Sequence, residues 1–146
     1  MQIEFKPDPA QIDPKITVTA AQLTPELKEL LLRLEHGRPT AITATRGDRA
    51  VLLSPEHILR FFADGKTVSV QTAEGIFSVR HRLYELEELL DPHKFVRISH
   101  SEIVNLSHVT ALDLKLSGTI RMTLTGGISC FVSRRSLKKI KQALNL

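Results

Sequence analysis

None of the side chains able to do covalent or acid-base chemistry stands at a catalytic spacing. The six histidines, His36, His57, His81, His93, His100 and His108, are scattered without the paired spacing of metal ligands. Asp91, His93 and Ser101 are close in sequence only. No glycine-rich phosphate loop, serine nucleophile elbow or zinc-type histidine pair occurs. Cys130 has no activating histidine nearby and lies beside Phe131 and Val132, the setting of a small buried hydrophobe rather than a redox switch. The expectation is a protein without catalytic residues, bound metal or cofactor. What remains is cationic. The guanidinium of Arg135 is a planar fork that fits guanine O6 and N7, or two phosphate oxygens. Lys66, Arg134, Lys138 and Lys139 are charges that release counterions from a polyanion but cannot read bases.

The net charge of +4 is unevenly divided. Residues 1–45 hold 5 Lys or Arg against 6 Asp or Glu, and residues 46–146 hold 15 against 10, so the two parts carry −1 and +5. A basic C-terminal part suits an anionic partner, and a surplus of this size also suits an ordinary solvated surface. Each candidate likewise has a plainer role. Arg97 lies in a strand pattern and can pair across strands with Glu102 or Asp113 as readily as with phosphate. His100, flanked by serines, reads as an exposed turn histidine. Lys138, Lys139 and Lys141 complement the negative end of a closing helix. Asn105 ends an apolar run and is expected to bond the turning backbone rather than a base.

Elements must position these residues, and 146 residues with 42% hydrophobic content suffice for a core. Met1 to Pro14 is rich in proline and aspartate, and Ile16 to Thr19 alternates like a short strand. Thr24, Pro25 and Glu26 read as a helix start, followed by Leu27, Leu30, Leu31 and Leu34 at helical spacing up to Gly37 and Pro39. That leucine stripe serves core packing or a homodimer. From Thr40 the pattern turns to short β-branched runs, at 41–45, 50–53, 58–62, 67–71 and 76–79, with turns at Gly47-Asp48, Asp64-Gly65 and Glu74-Gly75. Leu83, Leu86, Leu89 and Leu90 mark a two-turn helix whose acids read as a solvated face. Strands resume at 95–98, 103–104, 109–115, 120–125 and 128–132, with turns at Ser117-Gly118 and Gly126-Gly127, and a helix from Arg134 to Leu144 ends the chain. No run of eighteen apolar residues occurs, and Met1 to Ala10 lacks the apolar core of a signal peptide, so a cytoplasmic location is expected.

The stretch from Phe95 to Val109, Phe-Val-Arg-Ile-Ser-His-Ser-Glu-Ile-Val-Asn-Leu-Ser-His-Val, is preceded by Leu83-Tyr-Glu-Leu-Glu-Glu-Leu-Leu90 and followed by Val132-Ser133-Arg134. Together these resemble the LytTR family of DNA-binding domains, in which a short helix ending in a leucine pair leads to Phe-x-Arg-Ile, a polar loop and Ile-Val-Asn-Leu. Phe61-Phe62 and the glycine turn before the last strand are further shared marks. The resemblance covers about Ala44 to Leu146. It implies a mainly β fold with short helices (α+β), elongated, built of small stacked sheets, and here preceded by a strand-helix extension. The chain would then divide into an extension at 1–43 and a DNA-binding domain at 44–146.

The resemblance also implies how such a domain works: as a transcription regulator, loops enter successive major grooves of double-stranded DNA at promoter repeats. Carried over by position, those loops fall at Asp64–Thr67, Ser99–Ser101 and Ser133–Ser136. Lys66, His100 and Arg135 are then the leading contacts, with Arg97, Ser99, Ser101, Ser133, Arg134, Lys138 and Lys139 beside them. The family usually couples this domain to a receiver or to membrane segments, and 43 residues are too few for a receiver. The alternative is a protein-interaction module that binds a partner regulator with little or no affinity for DNA. RNA is disfavoured because stacking aromatics are few and Tyr84 falls in a helix.

Overall fold

The computed structural model describes residues 1–114 and 120–146. The Ser117-Gly118 turn expected above therefore lies outside the described residues. By its internal contacts the chain forms two units, Met1–Glu35 and His36–Leu146.

The first unit contributes helix α1 (Pro25–His36). Thr24 caps it, its Oγ1 accepting from the Leu27 N–H at 3.2 Å, and Glu29 and Arg33 pair one turn apart at 3.9 Å. The strand expected at Ile16–Thr19 is absent, and this corrects the strand-helix description of the extension. Alternation alone does not make a strand. A strand is stable only where a neighbour takes its backbone groups, and no ladder reaches this segment, whose Ile16 is 71% exposed.

The second unit starts with β1 (Ile42–Arg46), β2 (Arg49–Leu53), β3 (Ile58–Asp64), β4 (Thr67–Thr72) and β5 (Gly75–Val79). Helix α2 (Leu83–Leu89) leads to β6 (Phe95–Ser99) and β7 (Glu102–Asn105). These seven strands make one antiparallel sheet in the order β2-β1-β5-β4-β3-β7-β6. A second sheet is formed by β8 (Val109–Asp113), β9 (Ile120–Leu124) and β10 (Ile128–Val132), with β9 central, and helix α3 (Arg134–Ala143) follows. From Ala41 on, the runs read from sequence match these elements within a residue or two, which is the precision that pattern allows; the expected end of the 109–115 run, Lys115, lies outside the described residues.

The large sheet is covered on both faces. On one face Leu83, Leu86 and Leu90 of the α2 segment pack with Phe61, Val70, Phe77, Phe95 and Ile103. On the other, Leu59, Val96, Ile98 and Val104 pack against Met122, Leu124, Cys130, Val132 and Ile140 of the small sheet and α3. Strands β6 and β7 therefore carry consecutive apolar residues, whereas β4 alternates Val68-Ser69-Val70-Gln71 because only one of its faces is deeply covered. A register shift between Ile58 and Arg60 sends Leu59 and Phe61, two positions apart, into opposite cores.

Two polar devices hold the end of the sheet where β3 and β6 begin. Asn105 is 2% exposed; its Nδ2 donates to the carbonyls of Ile58 (2.9 Å) and Pro55 (3.3 Å), and its Oδ1 accepts from the Ser107 N–H at 3.0 Å. This is the backbone-bonding role expected of it, and it satisfies buried groups that water cannot reach. Arg38 closes α2, donating from Nη1 to the carbonyls of Leu90 (2.9 Å), Glu88 (3.1 Å) and Leu89 (3.4 Å). A helix of seven residues is too short to persist alone, so its stability comes from this cap and from its buried leucines.

Candidate nucleic-acid interface

The turn between β3 and β4 is a two-residue connection, because Asp64 pairs with Thr67. Gly65 takes φ +63° there, a left-handed position that favours glycine, and Thr67 Oγ1 donates to the Asp64 carbonyl at 2.9 Å. Lys66 is thereby held at the tip and is exposed.

The turn between β6 and β7 is equally tight. Ser99 pairs with Glu102, leaving His100 exposed at the tip with Ser101. The Ser101 N–H donates to Ser99 Oγ at 3.2 Å, so the serines brace the turn from within. Arg97 fixes it from below. Its Nε donates to the Ser99 carbonyl at 3.1 Å, a second nitrogen donates to the His100 carbonyl, and Nη1 meets Glu87 Oε1 of α2 at 2.5 Å. Glu102, one of the two cross-strand partners offered for Arg97, is instead taken by Arg60, at 3.0 Å. Glu87 is accordingly more than a solvated acid. Sequence held no signal for it, since it stands ten residues from Arg97 and only the packing of α2 on the sheet joins them.

At the third segment Ser133 is the N-cap of α3: its Oγ accepts from the Ser136 N–H at 3.3 Å and contacts Ser136 Oγ at 2.9 Å. Leu137, Ile140 and Leu144 turn the helix's apolar stripe into the core, so Arg134, Arg135, Lys138 and Lys139 lie exposed on the other side. Lys138 and Lys139 fall in mid-helix, and of the three lysines only Lys141 lies in the last turn, where the carbonyl end attracts cations. Arg134 and Arg135 open the helix at its positive end, and its first turn holds no acid. That placement costs about 0.3–1 kcal/mol per charge at low salt, and among the described residues neither arginine forms an ion pair.

These three segments converge. The Ala63 N–H donates to the Ser101 carbonyl at 2.8 Å, tying the end of β3 to the β6–β7 turn. The Ser133 N–H donates to the Ile98 carbonyl at 2.8 Å, tying the start of α3 to the end of β6. Lys66, His100 and Arg135 therefore belong to neighbouring segments at one end of the large sheet. The two helices of this unit are separated in the chain by β6 to β10, so they do not form a helix-turn-helix pair.

Behind this end sits a polar cluster that pattern reading missed. Arg60 donates from Nε to Gln71 Oε1 at 2.7 Å, from Nη1 to Glu102 Oε2 at 3.0 Å and to Cys130 Sγ at 3.7 Å, and its guanidinium lies 4.6 Å from the Phe62 ring centre. Arg60 and Glu102 keep only 18% and 16% side-chain exposure, so this is a largely desolvated pair that fixes register between β3, β4 and β7. Cys130 is the buried hydrophobe expected; burial pushes its thiol pKa up to about 12.

Comparison with known proteins bears on the fold and the family. The sequence profile of the LytTr DNA-binding domain matches residues 48–145. An uncharacterized HTH-type transcriptional regulator of Staphylococcus aureus strain NCTC 8325 is 39% identical over 95 residues, which is 65% of this chain and 64% of that protein. A protein of the same description from the bovine strain RF122 is 42% identical over 89 residues, 61% of this chain and 60% of that one. The chain thus spans somewhat under two thirds of these relatives. In structure, the LytTr DNA-binding domain from Bacillus cereus superposes with a TM-score of 0.70 at 22% identity, covering 74% of this chain and 99% of that one. Mostly strands with short helices, arranged as in that domain and matched by the profile over two thirds of its length, this chain belongs to the LytTR family of DNA-binding domains.

Proposed function

We propose that the protein is a sequence-specific transcription regulator of the cytoplasm, and that residues 44–146 grip duplex DNA with the turns at 64–67 and 99–101 and the junction at 133–136, set into successive major grooves at promoter repeats. The observation that carries this is the pair of backbone hydrogen bonds, Ala63 to Ser101 and Ser133 to Ile98, which gather the three cation-bearing segments at one end. Arg135 is the base reader, since its fork can take guanine O6 and N7. His100 reaches a base edge or phosphate from the adjacent tip. Lys66, Arg134, Lys138 and Lys139 neutralise phosphates, and the serines Ser99, Ser101 and Ser133 offer hydroxyls to the backbone. Arg97 serves the interface by shaping the His100 turn. The relatives' description as transcriptional regulators supports the same reading.

A mobility-shift assay on the chain's own promoter region tests it. Wild type should prefer that duplex to a random one, and Arg135→Ala and His100→Ala should abolish the shift while circular dichroism stays native. With about five cations on phosphates, log affinity should fall against log salt with a slope of about −4 to −5. A flat response, or no preference over random duplex, would transfer the role to protein interaction.

The leucine face of α1 remains a proposed homodimer contact: Leu31 and Leu34 are 38% and 50% exposed, with Leu27 and Leu30 beside them. Light scattering on Leu30→Asp and Leu31→Asp variants tests it, and an unchanged mass would end the idea.

A further inference from the structure

The strand order of the large sheet brings a fourth basic segment to the same end, one that neither the sequence pattern nor the family resemblance singled out. Strand β5 runs antiparallel to β4, and its last residue, Val79, pairs with Val68. Continuing that register by one step sets Arg80 beside Thr67, the residue that follows Lys66. Arg80 and Arg82 are both exposed, and among the described residues neither forms an ion pair. Arg82 immediately precedes α2, where its own backbone N–H donates to Glu85 Oε1 at 3.1 Å and so fixes the segment's exit from the sheet.

Resting on the DNA-binding reading above, we propose that Arg80 and Arg82 form a fourth phosphate-gripping segment, extending the DNA footprint past Lys66 on the side away from Arg135. Along the sheet, the order is the 80–82 connection after β5, then the β3–β4 turn, then the β6–β7 turn, and finally the junction bonded to Ile98 at the end of β6. From β5 to β6 there are four strand spacings, about 19 Å at ~4.8 Å each. Duplex DNA carries one charge per ~1.7 Å of axis counted over both strands, so about eleven phosphate charges lie along that length, more than the number of Lys66 and the α3 cations. Arg80 and Arg82 can supply two more. Neither is assigned a base, because among the described residues no ion pair holds the planar fork in one orientation; their contribution is affinity common to all sequences.

The test is a salt titration of binding to two equally long duplexes, the chain's own promoter region and a random sequence. Arg80→Ala and Arg82→Ala should each reduce the steepness of the log affinity against log salt plot by about 0.9, and weaken both duplexes by the same factor. Arg80→Lys should restore the slope, and Arg49→Ala, at the tip joining β1 and β2, should leave it as in wild type. If wild type shows its steep slope and Arg134→Ala lowers it while both alanine variants at 80 and 82 keep it, the fourth segment is refuted and the DNA reading stands. If Arg80→Ala and Arg82→Ala weaken only the promoter duplex, the arginines read sequence and the phosphate assignment is wrong. A wild type with no salt response overturns the DNA reading itself, and this inference with it.

Discussion

The two ends of the large sheet use their cations differently. At the end where β3 and β6 begin, Arg38 spends its guanidinium on the last carbonyls of α2. Arg46, at the end of β1, donates to the Glu74 carbonyl at 3.4 Å and lies 4.4 Å from the Phe77 ring centre. So closely does it approach that a Cβ on Gly75, which has φ +131°, would fall 2.7 Å from its Nη1. These arginines hold the fold's own backbone. At the other end Lys66, His100, Arg134 and Arg135 are exposed, while Arg97 is bonded to the carbonyls beneath a turn and Arg60 to Glu102 behind it. Positive charge that the fold consumes is structural; positive charge that the fold places at exposed tips is available to a polyanion.

Substitutions at the two ends should therefore separate stability from binding. The largest effect is expected from Asn105→Ala, which strips partners from the Ile58 and Pro55 carbonyls and the Ser107 N–H. It should lower stability by about 3 kcal/mol in a denaturant titration and leave the salt slope of the folded fraction unchanged. Arg135→Glu should do the converse, costing at least the ~1–3 kcal/mol of a bidentate base contact in DNA affinity. By placing an acid in the first turn of α3 it should raise stability by about 0.3–1 kcal/mol, visible as a higher melting temperature. A loss of stability there would show that the arginine is structural after all.

Smaller effects sharpen the contrast. Glu87→Gln weakens the hold on Arg97, so discrimination between promoter and random duplex should fall a few-fold while the salt slope does not decrease, since no cation is lost. The smallest change is a silence. With its thiol pKa raised to about 12 by burial, Cys130 should resist alkylation in the native protein at pH 8 and react at an ordinary rate in denaturant.

Much of this arrangement was legible in the chain. Gly65, the Asp64-Gly65 signal and the alternation of β4 located a turn with Lys66 at its tip, because a tight hairpin needs positive φ and a half-covered strand needs a period of two. The closing helix read from Arg134 placed Arg135 in its first turn, and the structure shows Ser133 capping that helix. Ile16–Thr19 misled because its pattern met the local rule while no neighbouring strand supplied the ladder. Partners are less legible. Strand pattern offers Arg97 either Glu102 or Asp113 across strands, or phosphate, but the face of β7 that carries Glu102 looks toward Arg60 and Cys130, whereas Arg97 looks toward α2.

By itself, the sequence determined where strands, turns and helices begin and end from Ala41 on, since there propensity, periodicity and caps act over a few residues and agree with the packing. Which cations share an end of the sheet was decided only by strand order. Arg80 and Lys66 are fourteen positions apart and Ser133 stands thirty-five beyond Ile98. The antiparallel return of β5 beside β4, and the bond from Ser133 to Ile98, bring such residues together for reasons no local pattern contains. Long-range pairing depends on which faces must be buried together, and that is a property of the whole packed unit.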